Sequence, residues 1–203
     1  EELFCAPGNP GTAALGQNVP IAADDLEGLL EFARKHSIDL TIPGPEVPLV
    51  EGIVDLFEKE GLAIVGPSSQ AARLEGSKVF TKRFLEKYGI PTAMYKVFDK
   101  AEEAEREIES GSFSFPVVVK ADGLAAGKGV IICADKAEGL AAVSTIMREK
   151  AFGESGNCVV IEEFLTGEEA SFMAFCDGDN FLPMVPSQDH KAVYEGDKGP
   201  NTG

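Results

Sequence analysis

The stretch Leu26 to Lys35 sets Leu26, Leu29, Leu30 and Ala33 at the three- and four-residue spacing of one helical face, with Asp24 or Asp25 in front as N-cap. Short apolar runs lie on either side: Leu3 to Ala6 before it, and Leu40 to Ile42 after it, stopped by Pro43-Gly44-Pro45. Val50 to Glu60 repeats the amphipathic pattern, and Ala63-Ile64-Val65, ended by Gly66-Pro67, supplies a third strand. Strand and helix therefore alternate over the first third of the chain, which predicts a parallel sheet with crossover helices.

This is a Rossmann-like arrangement, and in such sheets ligands bind beyond the strand C-termini. The rule puts Ala6 to Thr12, with Asn9, Gly11 and Thr12, and the tripeptide Gly44-Pro45-Glu46 on the ligand edge. A sheet that opens on a strand at residue 3 lacks a usual first strand, glycine loop and helix, and the last residues, Gly199 to Gly203, are turn-like with no element after them. Both ends read as cut.

From Ser68 to Gly89 the pattern is helical, with Ser77 as a cap, Phe80, Phe84 and Tyr88 on one face, and Gly89 then Pro91 as a stop. The remainder reads strand, helix, hairpin, helix, strand, strand. Asp99 with Glu102 and Asp135 with Glu138 have capping-box spacing, opening helices over 100–110 and 136–150. Cys158 to Leu165 and Glu169 to Cys176 are expected to pair antiparallel ahead of a turn at Asp177-Gly178-Asp179.

Between Val117-Val118-Val119-Lys120 and the strand that Gly129 opens lies Ala121 to Lys128, small and flexible. Glycines such as Gly123, Gly127 and Gly129 let backbone N–H groups line an anionic concavity, and Lys120 and Lys128 place cations at its ends. The spacing is not that of a P-loop: three residues separate Gly123 from Gly127, no Ser or Thr follows Lys128, and a strand comes next. A hairpin flap over a phosphate and an ordinary glycine-containing hairpin both fit. Lys120, directly after three valines, either snorkels or meets an anion. Lys78 on the linker helix is a further cation that could converge on the loop. Glu162 to Glu169 joins an apolar strand to carboxylates able to accept from ribose hydroxyls, and reads equally as a solvated acidic turn.

The formal net charge of -16 argues against a nucleic-acid or acidic-membrane surface, but not against small anions. A lysine about 4 Å from a phosphate gains about 4 kcal/mol at an effective dielectric near 20, so local lysines outweigh the distant excess of carboxylates. No apolar run approaches a membrane span, the first residues lack a signal-peptide layout, and a cytoplasmic location is expected. Cys5, Cys133, Cys158 and Cys176 show no metal-like spacing and read as reduced thiols. Of the two histidines, His36 near a helix end reads as a surface or capping group. His190, within Ser187-Gln188-Asp189-His190-Lys191, reads as structural or functional with equal force.

Taken in order, Ala6–Thr12 (APGNPGT), Gly44–Asp55, Leu74–Leu85, Lys120–Val130 (KADGLAAGKGV), Glu162–Ser171 (EEFLTGEEAS), Ser187–Lys191 (SQDHK) and Gly199–Gly203 resemble the glycinamide ribonucleotide synthetase family of ATP-grasp ligases over essentially the whole chain. The resemblance implies an α/β protein. Residues 1–76 would be a Rossmann-like domain lacking its first strand and helix, 77–95 a linker helix, 96–165 a subdomain carrying the flap, and 166–203 an incomplete return to the other subdomain. It implies ATP-dependent joining of glycine to 5-phosphoribosylamine through a glycyl phosphate, with Mg²⁺ or Mn²⁺. By family pattern Lys78 and Lys120 would contact phosphates, with Gly123, Gly127, Lys128 and Gly129 in the flap, Glu162 and Leu165 at the adenine edge, and Glu169 at the ribose. Asn9, Gly11, Thr12, Gly44, Pro45, Glu46, Asp189, His190 and Lys191 would face glycine or phosphoribosylamine. Metal ligands are expected beyond Gly203, so the chain alone is expected to be inactive, and Ala192 stands where many relatives carry a basic residue. Other ATP-grasp carboxylate–amine ligases would share the loop at Lys120; the Gly44-Pro45-Glu46 and Gln188–Lys191 segments discriminate among them.

Overall fold

A computed structural model describes residues 2–125, 128–190, 192–195 and 198–201. The chain divides into two compact units, Glu1–Glu163 and Phe164–Gly203. In the first, β1 (Phe4–Cys5) pairs in parallel with β2 (Gln17–Asn18). The expected strands at 40–42 and 63–65 shrink to one parallel bridge, Thr41 to Ile64. Prolines at 43 and 67 lack the N–H that would continue either ladder, so only Thr41 N to Ala63 O and Val65 N to Thr41 O are made.

Helix α1 (Leu26–His36) starts where Asp25 accepts from Gly28 N at 3.0 Å, and its Leu30 and Ala33 are buried against Ile53, Val54 and Phe57. The single helix expected over 50–60 is two: α2 (Glu46–Glu51) and α3 (Ile53–Lys59) meet at Gly52, whose φ of +94° breaks the helical ladder. Next come α4 (Ser69–Gly76) and α5 (Lys78–Lys87), capped by Ser68 and Ser77 through hydrogen bonds from Ala71 N and Phe80 N. Phe80, Phe84 and Tyr88 pack in sequence along one face, with ring centroids 6.4 and 4.6 Å apart.

A four-stranded antiparallel sheet follows, in the order β3 (Tyr95–Phe98), β6 (Val159–Glu163), β4 (Val117–Ala121), β5 (Val130–Cys133). Helices α6 (Ala101–Ser110) and α7 (Lys136–Val143) supply Ala104, Ile108, Ala142 and Val143 to a core that includes Val117, Val119, Val159 and Ile161. Asp135 caps α7 as expected, accepting from Glu138 N at 3.0 Å, while Glu138 Oε2 accepts from Ala134 N. The box expected at Asp99 and Glu102 does not form: Lys100 takes the cap position with no side-chain cap bond, and its ammonium goes to Glu103. Helix α7 also stops at Val143, short of residue 150, and continues as one wider π turn over Ser144–Arg148.

The expected pairing of 158–165 with 169–176 does not form either. Strand β6 has both edges occupied, by β3 and β4. In the second unit β7 (Ala174–Cys176) pairs instead with β8 (Phe181–Pro183) across the predicted turn, where Asp177 Oδ1 accepts from Asp179 N and Asn180 N, and Gly178 has a φ of +101°. Strands β9 (Ala192–Tyr194) and β10 (Lys198–Asn201) form another antiparallel pair.

Candidate functional site

Side chains alternate across a strand, so β4 and β6 each offer one face to the core and one away from it. Val117, Val119, Val159 and Ile161 take the core face. Val118, Lys120, Val160 and Glu162 take the other, with Val118 opposite Glu162 and Lys120 opposite Val160. Lys120 and Glu162 are therefore diagonal neighbours, and Lys120 Nζ donates to Glu162 Oε2 at 3.0 Å. Tyr95 on β3 stands opposite Glu162, and α5 brings Lys82 to this face, its Nζ 3.0 Å from the same oxygen. Glu162 is only 3% exposed. Its second oxygen, Oε1, is buried and accepts no hydrogen bond from the described residues.

The flap joins this face to the start of α5. Its base is set by Ala121 N donating to Gly129 O at 2.7 Å and Asp122 N to Cys158 O at 3.1 Å. Asp122 accepts from Ser77 Oγ and from Val79 N at 3.1 Å, so a loop carboxylate caps the helix that carries Lys78. Lys78 Nζ donates to Gly123 O at 2.8 Å. Burial holds the Lys78 ammonium below the usual lysine value; Asp122 opposes that and the charge of Lys120 adds to it. Gly123, with a φ of +110°, lies where an added Cβ would be 2.7 Å from Ser155 Oγ, and a Cβ on Gly129 would meet Ala125 Cβ at 2.5 Å. Both positions require glycine. The expected hairpin is present, with Lys128 exposed on its returning arm; Gly127 lies outside the described residues. Lys78, Lys82 and Lys120 gather on this face of a strongly acidic chain, opposite the carboxylates of Asp122 and Glu162 and with Glu75 acting on Lys78 as well. That arrangement can hold an anion larger than either carboxylate.

At the edge of the N-terminal sheet, Asn9, Thr12, Gly44 and Pro45 line a cavity of about 580 Å³ that also takes in Phe4 and Phe32. The loop is tightly self-bonded. Asn9 Oδ1 accepts from Gly11 N and Thr12 N, Asn9 N donates to Thr12 Oγ1, and Asn18 Nδ2 donates to Asn9 O. Gly11 turns the loop there, and Glu46 opens α2. Leu165, Glu169, Asp189 and His190 belong to the second unit, all four exposed; Lys191 lies outside the described residues. The cysteines are free thiols, and burial pushes those of Cys133 and Cys158 up to about 11.

Lys82 and the capping role of Asp122 were not legible as site features in the sequence. The signal for Lys82 existed, since it lies four residues after Lys78 and so shares its helical face. For Asp122 nothing local pointed to α5, because its partners lie more than forty residues earlier.

Residues 76–203, which carry the glycine hairpin and the lysine-bearing sheet face, match the description "Phosphoribosylglycinamide synthetase, ATP-grasp (A) domain", which places them in the ATP-grasp class. A solved biotin carboxylase domain of a 2-oxoglutarate carboxylase from Hydrogenobacter thermophilus shares the fold, with a TM-score of 0.66 at 22% identity over 84% of this chain and 39% of its own. Residues 1–75 match "Phosphoribosylglycinamide synthetase, N domain", and the chain belongs to the phosphoribosylglycinamide synthetase family. The chain is 57% identical over its whole length to a phosphoribosylamine–glycine ligase from Allochromatium vinosum, covering 47% of that protein. The crystal structure of a phosphoribosylamine–glycine ligase from Thermotoga maritima superposes with a TM-score of 0.78 at 38% identity, over 99% of this chain and 47% of that one. The chain spans about half the length of the curated relatives it matches.

Proposed function

We propose that this chain forms the nucleotide-binding part of a ligase that joins glycine to 5-phosphoribosylamine at the expense of ATP. The observation that carries the reading is the lysine-bearing face around Glu162, in a chain of the phosphoribosylglycinamide synthetase family. ATP would supply the phosphoryl group that activates the glycine carboxylate toward an amine. The residues present fit such a polyanion: an ammonium has three donors, so the bond from Lys78 to Gly123 O leaves two for phosphate oxygens. Lys120 can turn from Glu162 to a phosphate, because Lys82 remains on the carboxylate.

Gly123 and Gly129 keep the flap backbone close to the ligand, and closing it over the phosphates would exclude water from an activated acyl group. In this reading Gly127 and Lys128 complete the flap, Glu162 and Leu165 meet the base edge and Glu169 the ribose, while Asn9 to Thr12, Gly44 to Glu46 and Asp189 to Lys191 serve the glycine and phosphoribosylamine sites. A divalent cation, Mg²⁺ or Mn²⁺, belongs to the reading. Among the described residues no group of three or more His, Cys, Asp or Glu side chains could hold one, and no step here depends on it. A cytoplasmic location is part of the reading; among the described residues no helix is long and apolar enough to cross a membrane.

The test is ADP release by the full-length protein with ATP, glycine and 5-phosphoribosylamine supplied together and singly. Release that requires both substrates supports the reading. Release with another carboxylate or another amine, but not with these, overturns it.

A further inference from the structure

Lys82 is a buried cation for which phosphate binding has no use. It is 8% exposed, and a lysine withdrawn from water is costly unless every donor is engaged. Here Nζ reaches Glu162 Oε2 at 3.0 Å, Thr92 Oγ1 at 2.7 Å and Ala93 O at 3.5 Å, and the Tyr95 ring centroid lies 5.5 Å away. Carboxylate, hydroxyl and carbonyl thus come from β6 and from the segment leading into β3, so Lys82 ties α5 to two neighbouring strands. Lys120 donates to that same Oε2. One oxygen of Glu162 is therefore committed twice, and the other is buried with no partner among the described residues.

A carboxylate held through one oxygen has lost its freedom to rotate, and its remaining oxygen is an acceptor of fixed position. We propose that Lys82 is a positioning residue that pins Glu162, so that Oε1 accepts from an N–H on the edge of the bound base and favours a base with an exocyclic amino group over one with a carbonyl there. The inference rests on the nucleotide reading above. It gives the two lysines separate tasks: Lys120 can leave for a phosphate without stranding a buried carboxylate, and Lys82 stays.

Inosine triphosphate, which carries a carbonyl where ATP carries the amino group, is the probe. Affinities of the full-length protein for both nucleotides are measured by competition, and the ratio within one variant does not depend on the fraction folded. Lys82→Met should weaken ATP about tenfold, as for loss of a charge-assisted contact, while inosine triphosphate changes by less than about twofold. Thr92→Val, at an exposed residue that fixes the same ammonium, should lower the ratio in the same direction by a smaller factor. If Lys82→Met does not fold, Thr92→Val decides: a selective loss of ATP supports the inference, and equal losses or none overturn it. Glu162→Gln separates the two layers. If it abolishes the preference while Lys82→Met and Thr92→Val weaken both nucleotides equally, the base-edge reading stands and the positioning role falls. If Glu162→Gln keeps the full preference, the base-edge reading falls and the inference with it.

Discussion

On β4, Val117, Val119 and Ala121 enter the core with α6 and α7, whereas Val118 and Lys120, from the same five residues, share the face that meets Lys82 of α5. Strand β6 divides likewise, with Val159 and Ile161 in the core and Val160 and Glu162 on the other face. The two faces are equally buried at their centre; Val119, Val160 and Ile161 are all fully enclosed. What separates them is chemistry. The core face is satisfied by apolar contact alone, while the other face carries charges that must be paired, leaving one carboxylate oxygen without a partner among the described residues. The core face holds the sheet together and the charged face is set aside for binding, so substitutions on the two should fail in different assays.

The largest effect is expected on the core face. Ile161→Ala should cost about 3 kcal/mol of folding stability by opening a cavity, read by denaturant unfolding, with ATP affinity of the folded fraction unchanged. On the charged face Lys120→Ala should do the reverse. ATP should weaken by about 1.5–3 kcal/mol while unfolding shifts little, since Lys82 still pairs Glu162. Equal losses of stability and binding in either variant would erase the contrast.

Asp122→Ala probes the link between the charged face and the flap. It removes the acceptor for Ser77 Oγ and Val79 N, should cost about 1 kcal/mol like other lost N-caps, and should speed amide exchange at Val79 more than at Phe80, which bonds to Ser77 Oγ. A last effect, confined to alkaline pH and absent at neutrality, is a pH dependence from thiols. Cys133 and Cys158 hold their protons up to about 11, against an ordinary value of 9.0. Between those values the unfolded chain has lost thiol protons that the folded chain keeps, so their contribution to stability is present below 9 and is lost as pH rises toward about 11. Serine at both positions should flatten that part of the profile.

Much of this contrast could be read from the sequence. The valine run ending in Lys120, the glycine hairpin after it, the caps at Asp25, Ser77 and Asp135, and the aromatic stripe of α5 each depend on residues a few positions apart, and the structure carries all of them. What could not be read was long-range or competitive. A helix over 50–60 ignored how readily Gly52 takes positive φ, and pairing β6 with residues 169–176 ignored that β3, from sixty residues earlier, was available for its second edge. Lys82 was not singled out: its spacing from Lys78 marks a shared helical face, but the Thr92 and Glu162 that enclose it come from outside its helix.

The central claim is that the lysine face of β4 and α5 receives the phosphates of a nucleotide. A crystal structure of the full-length protein with a non-hydrolysable ATP analogue and Mg²⁺ tests it directly. The account predicts Lys120 Nζ within about 3 Å of a phosphate oxygen, as in other charge-assisted contacts, with Lys82 still on Glu162 Oε2. An analogue bound elsewhere, with Lys120 still on Glu162, would contradict it.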